Sequence, residues 1–150
     1  MPYSIKIIFT VMLCLLLTCS LTSCDKKQKV GTLQISQTEF PLEQDSHKTT
    51  ISLDVKGKIK NTSPYDIKNI VITGRCKSCL EEMHAGKWFV TQDVKRENQK
   101  DTINYLPAGA EESFSFNGIA YFFRSSTVAI PETYPEHLEV YVASFETIQD

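Results

Sequence analysis

Residues 51–60, ISLDVKGKIK, alternate in character along their whole length. Ile51, Leu53, Val55, Gly57 and Ile59 fall on one side, and Ser52, Asp54, Lys56, Lys58 and Lys60 on the other. Successive Cβ atoms of an extended chain point to opposite faces, so this period of two predicts a strand with one face in a core and one in water. Asn61-Thr62-Ser63-Pro64 then ends it as a turn.

Moving outward, the same signal recurs. Ile67–Arg75, IKNIVITGR, is rich in β-branched residues and is expected to be the antiparallel neighbour of the first strand. Trp88–Gln92 predicts a shorter strand, 93–101 (DVKRENQKD) a charged solvated loop, and Thr102–Tyr105 a brief strand before Leu106-Pro107-Ala108-Gly109 turns the chain. Glu112–Phe123 alternates at Phe114 and Phe116 and holds Gly118, which suggests a bulge. In 137–148 Leu138, Val140 and Val142 share one face, and Tyr141, Ala143 and Phe145 the other. Thr32–Ser36 supplies a first strand. Short strands between turn signals, with almost no helical period, predict an all-β fold: an antiparallel immunoglobulin-like β-sandwich of six or seven strands.

The N-terminus sets the compartment. Residues 1–23, MPYSIKIIFTVMLCLLLTCSLTS, carry one charge, Lys6, and the apolar run Ile7–Leu17. Eleven residues are too few for the roughly 20 that span a bilayer core, and they suit the central segment of an export signal. Leu21-Thr22-Ser23-Cys24 matches the lipobox of bacterial lipoproteins, an aliphatic residue and two small ones before a cysteine. The resemblance implies cleavage before Cys24, a diacylglycerol on its thiol, and anchorage in a lipid bilayer. An incidental cysteine in an ordinary secretory signal, or an uncleaved anchor, is the alternative. The expected organisation is a lipoprotein signal peptide over 1–23, a lipidated N-terminus and polar tether over 24–31, and one domain over 32–150.

Loss of residues 1–23 leaves 127, and the 16 Lys and Arg residues become 15 as Lys6 departs, against 18 acids. Such an acidic balance offers nothing to nucleic acid. Of five cysteines, Cys14 and Cys19 leave with the signal and Cys24 takes lipid, so Cys76 and Cys79 remain as an even pair in an oxidising compartment.

That pair stands in RCKSCLEEMHAG, residues 75–86. Ser78 and Glu81 have capping-box spacing, which predicts one short helical turn over Leu80–Ala85, stopped by Gly86. Three readings of the pair stay open. One is a structural disulfide. Another is a redox centre, since a helix N-terminus stabilises a thiolate. The third is metal binding by Cys76, Cys79 and His84, one ligand short of a closed zinc site unless His47 or His137 completes it. No nucleophile elbow, phosphate loop or His-Glu-x-x-His motif is present, and neither catalysis nor a cofactor is expected.

KGKIKNTSPYDIKNIVI (56–72), followed by LPAGAEESFSF (106–116), resembles the FxLYD and related immunoglobulin-like domains of bacterial surface proteins. A Gly-x-hydrophobic-x-Asn strand end, a hydrophobic strand and a Leu-x-x-Gly turn before a Phe-containing strand carry the likeness over residues 50–120. Where those domains place Leu-Tyr-Asp, this chain has Gly74-Arg75-Cys76-Lys77-Ser78-Cys79. The resemblance implies a noncatalytic binding or structural module of the cell envelope, outside the cytoplasm, whose partners are the bilayer and an envelope protein or component. The rival is a periplasmic metal-binding or thiol-redox protein built on Cys76, Cys79 and His84.

Overall fold

The computed structural model describes residues 28–91, 96–125, 129, 131 and 133–149. Its strands are β1 (Leu33–Glu39), β2 (Leu42–Gln44), β3 (Thr50–Asn61), β4 (Ile67–Cys76), β5 (Trp88–Phe89), β6 (Lys100–Leu106), β7 (Glu111–Phe123) and β8 (Leu138–Thr147). One sheet has the order β1-β3-β7-β5 with β2 also on β3, and the other has β6-β4-β8. All the strand pairings are antiparallel. The sheets close on one core, with Leu53, Val55, Ile59, Phe114 and Phe116 from the first against Ile67, Ile70, Ile72, Ile103 and Leu106 from the second. The protein is thus an antiparallel β-sandwich.

The alternation of ISLDVKGKIK does build the central strand of its sheet, with Ile51, Leu53, Val55 and Ile59 buried. Asp54, expected on the wet face, is buried instead. The cause is in β7: Leu53 pairs Ala120 and Val55 pairs Phe116, so Asn117, Gly118 and Ile119 together oppose Asp54. This is the bulge expected at Gly118, which has φ +68°. Asp54 Oδ1 accepts the Gly118 N–H at 2.9 Å, the Gly118 carbonyl accepts from Gln99 Nε2 at 2.8 Å, and the Gln99 carbonyl accepts the Thr73 hydroxyl at 2.7 Å. A buried chain of hydrogen bonds therefore links β3, β7, residue 99 and β4.

Several expectations are corrected. β4 is not the neighbour of β3: the chain crosses between sheets at 62–66 and β4 pairs β6 and β8. Asn61 makes the crossing, its Nδ2 donating to the Tyr65 and Leu106 carbonyls and its Oδ1 accepting from the Ser63 amide and hydroxyl. Among the described residues there are eight strands: the three-residue Leu42–Gln44, which pairs along β3, was not expected, and the strand expected from Trp88 is the two-residue Trp88–Phe89 on β7. Within the stretch expected to be a solvated loop, Gln99 is buried and closes a 3-10 turn, Glu97–Gln99, while Lys100 and Asp101 open β6. That turn is the helical element of the described residues, none of which forms a helix able to cross a membrane.

Candidate functional site: the disulfide-braced pole

The strand directions give the sandwich two poles. Leu33, Asn61, Ile67, Leu106, Glu111 and Thr147 gather at the one where the chain enters. Thr50, Cys76, Phe123 and Leu138 gather at the other. Ten residues of β4 set them about 30 Å apart.

The structure joins Cys76 and Cys79 in a disulfide at the far pole, with Cα atoms 5.5 Å apart. Cys76 is the last residue of β4 and packs in the core. Around it the Lys77 N–H bonds the His137 carbonyl and the Ser78 hydroxyl bonds the Glu136 carbonyl, so the pair clasps the loop before β8. As a disulfide the two sulfurs offer no thiolate to a metal or a substrate.

The expected helical turn over Leu80–Ala85 is absent. Leu80 donates its N–H to the Trp88 carbonyl and accepts the Val90 N–H, so its backbone is already engaged as a bridge to β5. The Ser78 hydroxyl faces Glu136 instead of capping Glu81. With no helix there is no dipole to favour a thiolate at Cys79. His84 is 60% exposed beside Glu82, and His137, also exposed, stands just before β8 at φ +55°. His47 lies in the turn before β3, at the same pole. Although the fold brings all three histidines to the cysteine end, no group of three metal-ligating side chains forms among the described residues. Cys24 lies outside the described residues, as do 1–23 and the first part of the tether.

Beside the disulfide lies a surface that no motif in the sequence marks. Trp88 lies half-buried there, its ring edge-on to Phe122 at 5.4 Å and its Nε1 donating to the Thr133 carbonyl at 3.2 Å. Two adjoining recesses flank it. One, ≈ 390 Å³, lies among Ser78, Leu80, Trp88 and Pro135, and the other, ≈ 310 Å³, among Gly86, Trp88, Phe122 and Pro131. Leu80 is 42% exposed and, in the neighbouring loops, Met83 61% and Tyr134 54%. Three exposed apolar side chains around one half-buried tryptophan make this the candidate recognition surface of the far pole, while Val30, Tyr105 and Phe145 are exposed elsewhere. Arg75, Lys77 and Glu139 flank it with charge. The Arg75 guanidinium, then Lys77, hydrogen-bond the Glu139 carboxylate and hold it below its ordinary range.

In Tyr121-Phe122-Phe123 the aromatics pack: Phe122 is buried, and Tyr121 sits 6.1 Å from Phe89. The adjacent pairs Glu81-Glu82 and Glu111-Glu112 are exposed on the surface. Comparison with protein-family models, with curated proteins and with solved structures finds no match to this chain.

Proposed function

We propose that this chain is a membrane-anchored, extracytoplasmic bacterial lipoprotein, a noncatalytic binding or structural module of the cell envelope held to the bilayer through acylated Cys24. The sequence Leu21-Thr22-Ser23-Cys24 carries the reading. Two chains or more on one cysteine make a firm anchor, since each buried methylene contributes about 0.8 kcal/mol. The placement of the poles is in keeping with it. A chain tethered ahead of Leu33 presents its disulfide loops and the Trp88 surface at the end away from the tether. The Cys76–Cys79 bond agrees with an oxidising compartment.

The test is metabolic labelling in a bacterial host with an alkyne-bearing fatty acid. The wild-type chain takes the label and partitions with membranes, whereas Cys24→Ala takes none and is recovered soluble or with its signal uncut. Equal labelling of both chains, or mass spectrometry showing an unmodified Cys24 on the exported protein, would remove the reading.

A further inference from the structure

Ahead of β1, the chain is fastened to the sandwich from Lys29 onward. The Thr62 N–H bonds the Thr32 carbonyl at 2.9 Å, which carries the β1–β3 ladder one step past Leu33. The Gly31 N–H bonds Thr147 Oγ1 at 2.8 Å. Lys29 donates its N–H to the Gln149 side-chain oxygen at 3.1 Å, and its carbonyl accepts from Gln149 Nε2 at 2.9 Å. The Lys29 ammonium stands 5.4 Å from the centre of the Tyr65 ring. Gly31 is seated so closely that an added Cβ would lie 2.7 Å from Ile67 Cδ1. Residues 29–32 are therefore a strap that ties the end of β8 in one sheet to the start of β1 in the other.

The strap fixes how long the leash is. Four residues, 25–28, stand between Cys24 and Lys29. Five steps of fully extended chain reach about 18 Å at most, so the entry pole cannot move farther than that from Cys24.

The two poles also differ in charge. At the entry pole the loops Thr62-Ser63-Pro64-Tyr65 and Pro107-Ala108-Gly109-Ala110 carry none, and Pro64 and Pro107, Ala108 and Gly109 are exposed. Asp66 beside them is occupied, its carboxylate accepting the Tyr105 hydroxyl and, at 2.9 Å, the Ala108 N–H. The far pole exposes Glu81, Glu82 and Glu136. Leash and strap together bring Lys26, Lys27 and Lys29 against Asp25. An anionic headgroup layer thus attracts the leash, meets no opposing acid on the near loops and repels the far pole.

The inference rests on the lipid proposed for Cys24. With that lipid in place, the geometry points to the bilayer surface as the partner of the entry pole. The sandwich stands with loops 62–65 and 107–110 toward the headgroups, and the Trp88 surface is held about 30 Å farther out along the strands. A long flexible tether would let either pole turn to the membrane, whereas this leash gives the recognition surface a set height.

The test is paramagnetic broadening in NMR. The chain from Cys24 onward is coupled to a maleimide-headgroup lipid in nanodiscs of phosphatidylcholine and phosphatidylglycerol that also hold a lipid with a nitroxide on its headgroup. With Cys76 and Cys79 joined, Cys24 is the thiol that couples. The Tyr65 and Ala108 amides are expected to lose severalfold more intensity than those of Leu80 and Met83, relative to the same sample with its nitroxide quenched by ascorbate. A Gly/Ser insert of twenty residues between Lys27 and Gln28 gives the leash a mean reach of roughly 27 Å, and the difference between the poles is then expected to shrink toward equality. Equal broadening at both poles with the native leash, or stronger broadening at Leu80 and Met83, overturns the proposal. So does a difference that the insert leaves intact, since the leash would then not be what holds the pole. Because the lipid is attached chemically, each outcome bears on the leash and none on whether a cell acylates Cys24, which the fatty-acid label decides.

Discussion

Asp54 and Gly118 meet across the β3–β7 ladder out of contact with water, carboxylate oxygen to amide nitrogen at 2.9 Å, and the pair exists because three residues of β7 stand opposite one residue of β3. The glycine is required twice over. Its φ of +68° lies in the left-handed region, and an added Cβ would stand 2.0 Å from the Tyr121 hydroxyl oxygen.

Gly118→Ala is therefore expected to be among the most damaging single substitutions. The backbone conformation alone costs about 1–2 kcal/mol for a residue with a side chain, and displacement of the Tyr121 ring adds to it. Urea denaturation reads the loss. A midpoint unchanged from wild type would show that the bulge relaxes at no cost.

Asn61→Ala removes both halves of the crossing between sheets. It strands the Leu106 carbonyl and the Ser63 amide, whose burial without partners costs about 1–3 kcal/mol each. A thermal melt is expected to shift down clearly, and Thr62→Ala, at an exposed neighbour, to change little.

Replacing both cysteines by serine is expected to be mild. A loop of four residues gives about 2 kcal/mol at most by the chain-entropy relation. The consequence is local: exchange at Lys77 and Leu80 quickens, and Trp88 fluorescence changes as the clasp on Glu136 and His137 loosens. Wild-type fluorescence in the double variant would show that the disulfide does not position the Trp88 surface.

Glu139 gives a pH signature. Its hydrogen bonds from Arg75 and Lys77 hold its folded pKa below the ordinary 4.5. A lowered carboxylate pKa contributes stability that is present above the unfolded value and lost as pH falls through the folded one. The gap in denaturation midpoint between wild type and Glu139→Gln is thus expected to be full at neutral pH and to shrink progressively as the pH is taken below 4.5 and through the lowered folded value. A gap that persists in acid would mean that packing, and not charge, is what the glutamate supplies.

The strands were legible where one rule governed them. Ile51–Ile59 sit in a sheet interior with a face each way, so their period survives in the fold, as does the bulge announced by Gly118. What stayed hidden depended on partners distant in sequence. Asp54 reads as a wet residue until the bulge 64 positions later meets it. Gln99 reads as part of a charged loop, yet its bonds to Gly118 and Thr73 hold it between the sheets. The capping-box spacing at Ser78 was real, but Glu136 and Trp88 competed for the same groups and prevailed. The apolar surface around Trp88 and the fastening of Lys29 and Gly31 to the end of β8 follow from which loops and edges the topology brings together, which no local pattern records.

The separation of the two poles has a mechanical side. Tension applied between residue 33 and the Trp88 loops runs along the strand axes, so the β1–β3 ladder, paired from Leu33–Asn61 to Ser36–Lys58, is loaded in shear. Bonds sheared together fail together, whereas bonds peeled from one end open in turn. A chain held at one end and gripped at the other would resist pulling far better than its modest size suggests.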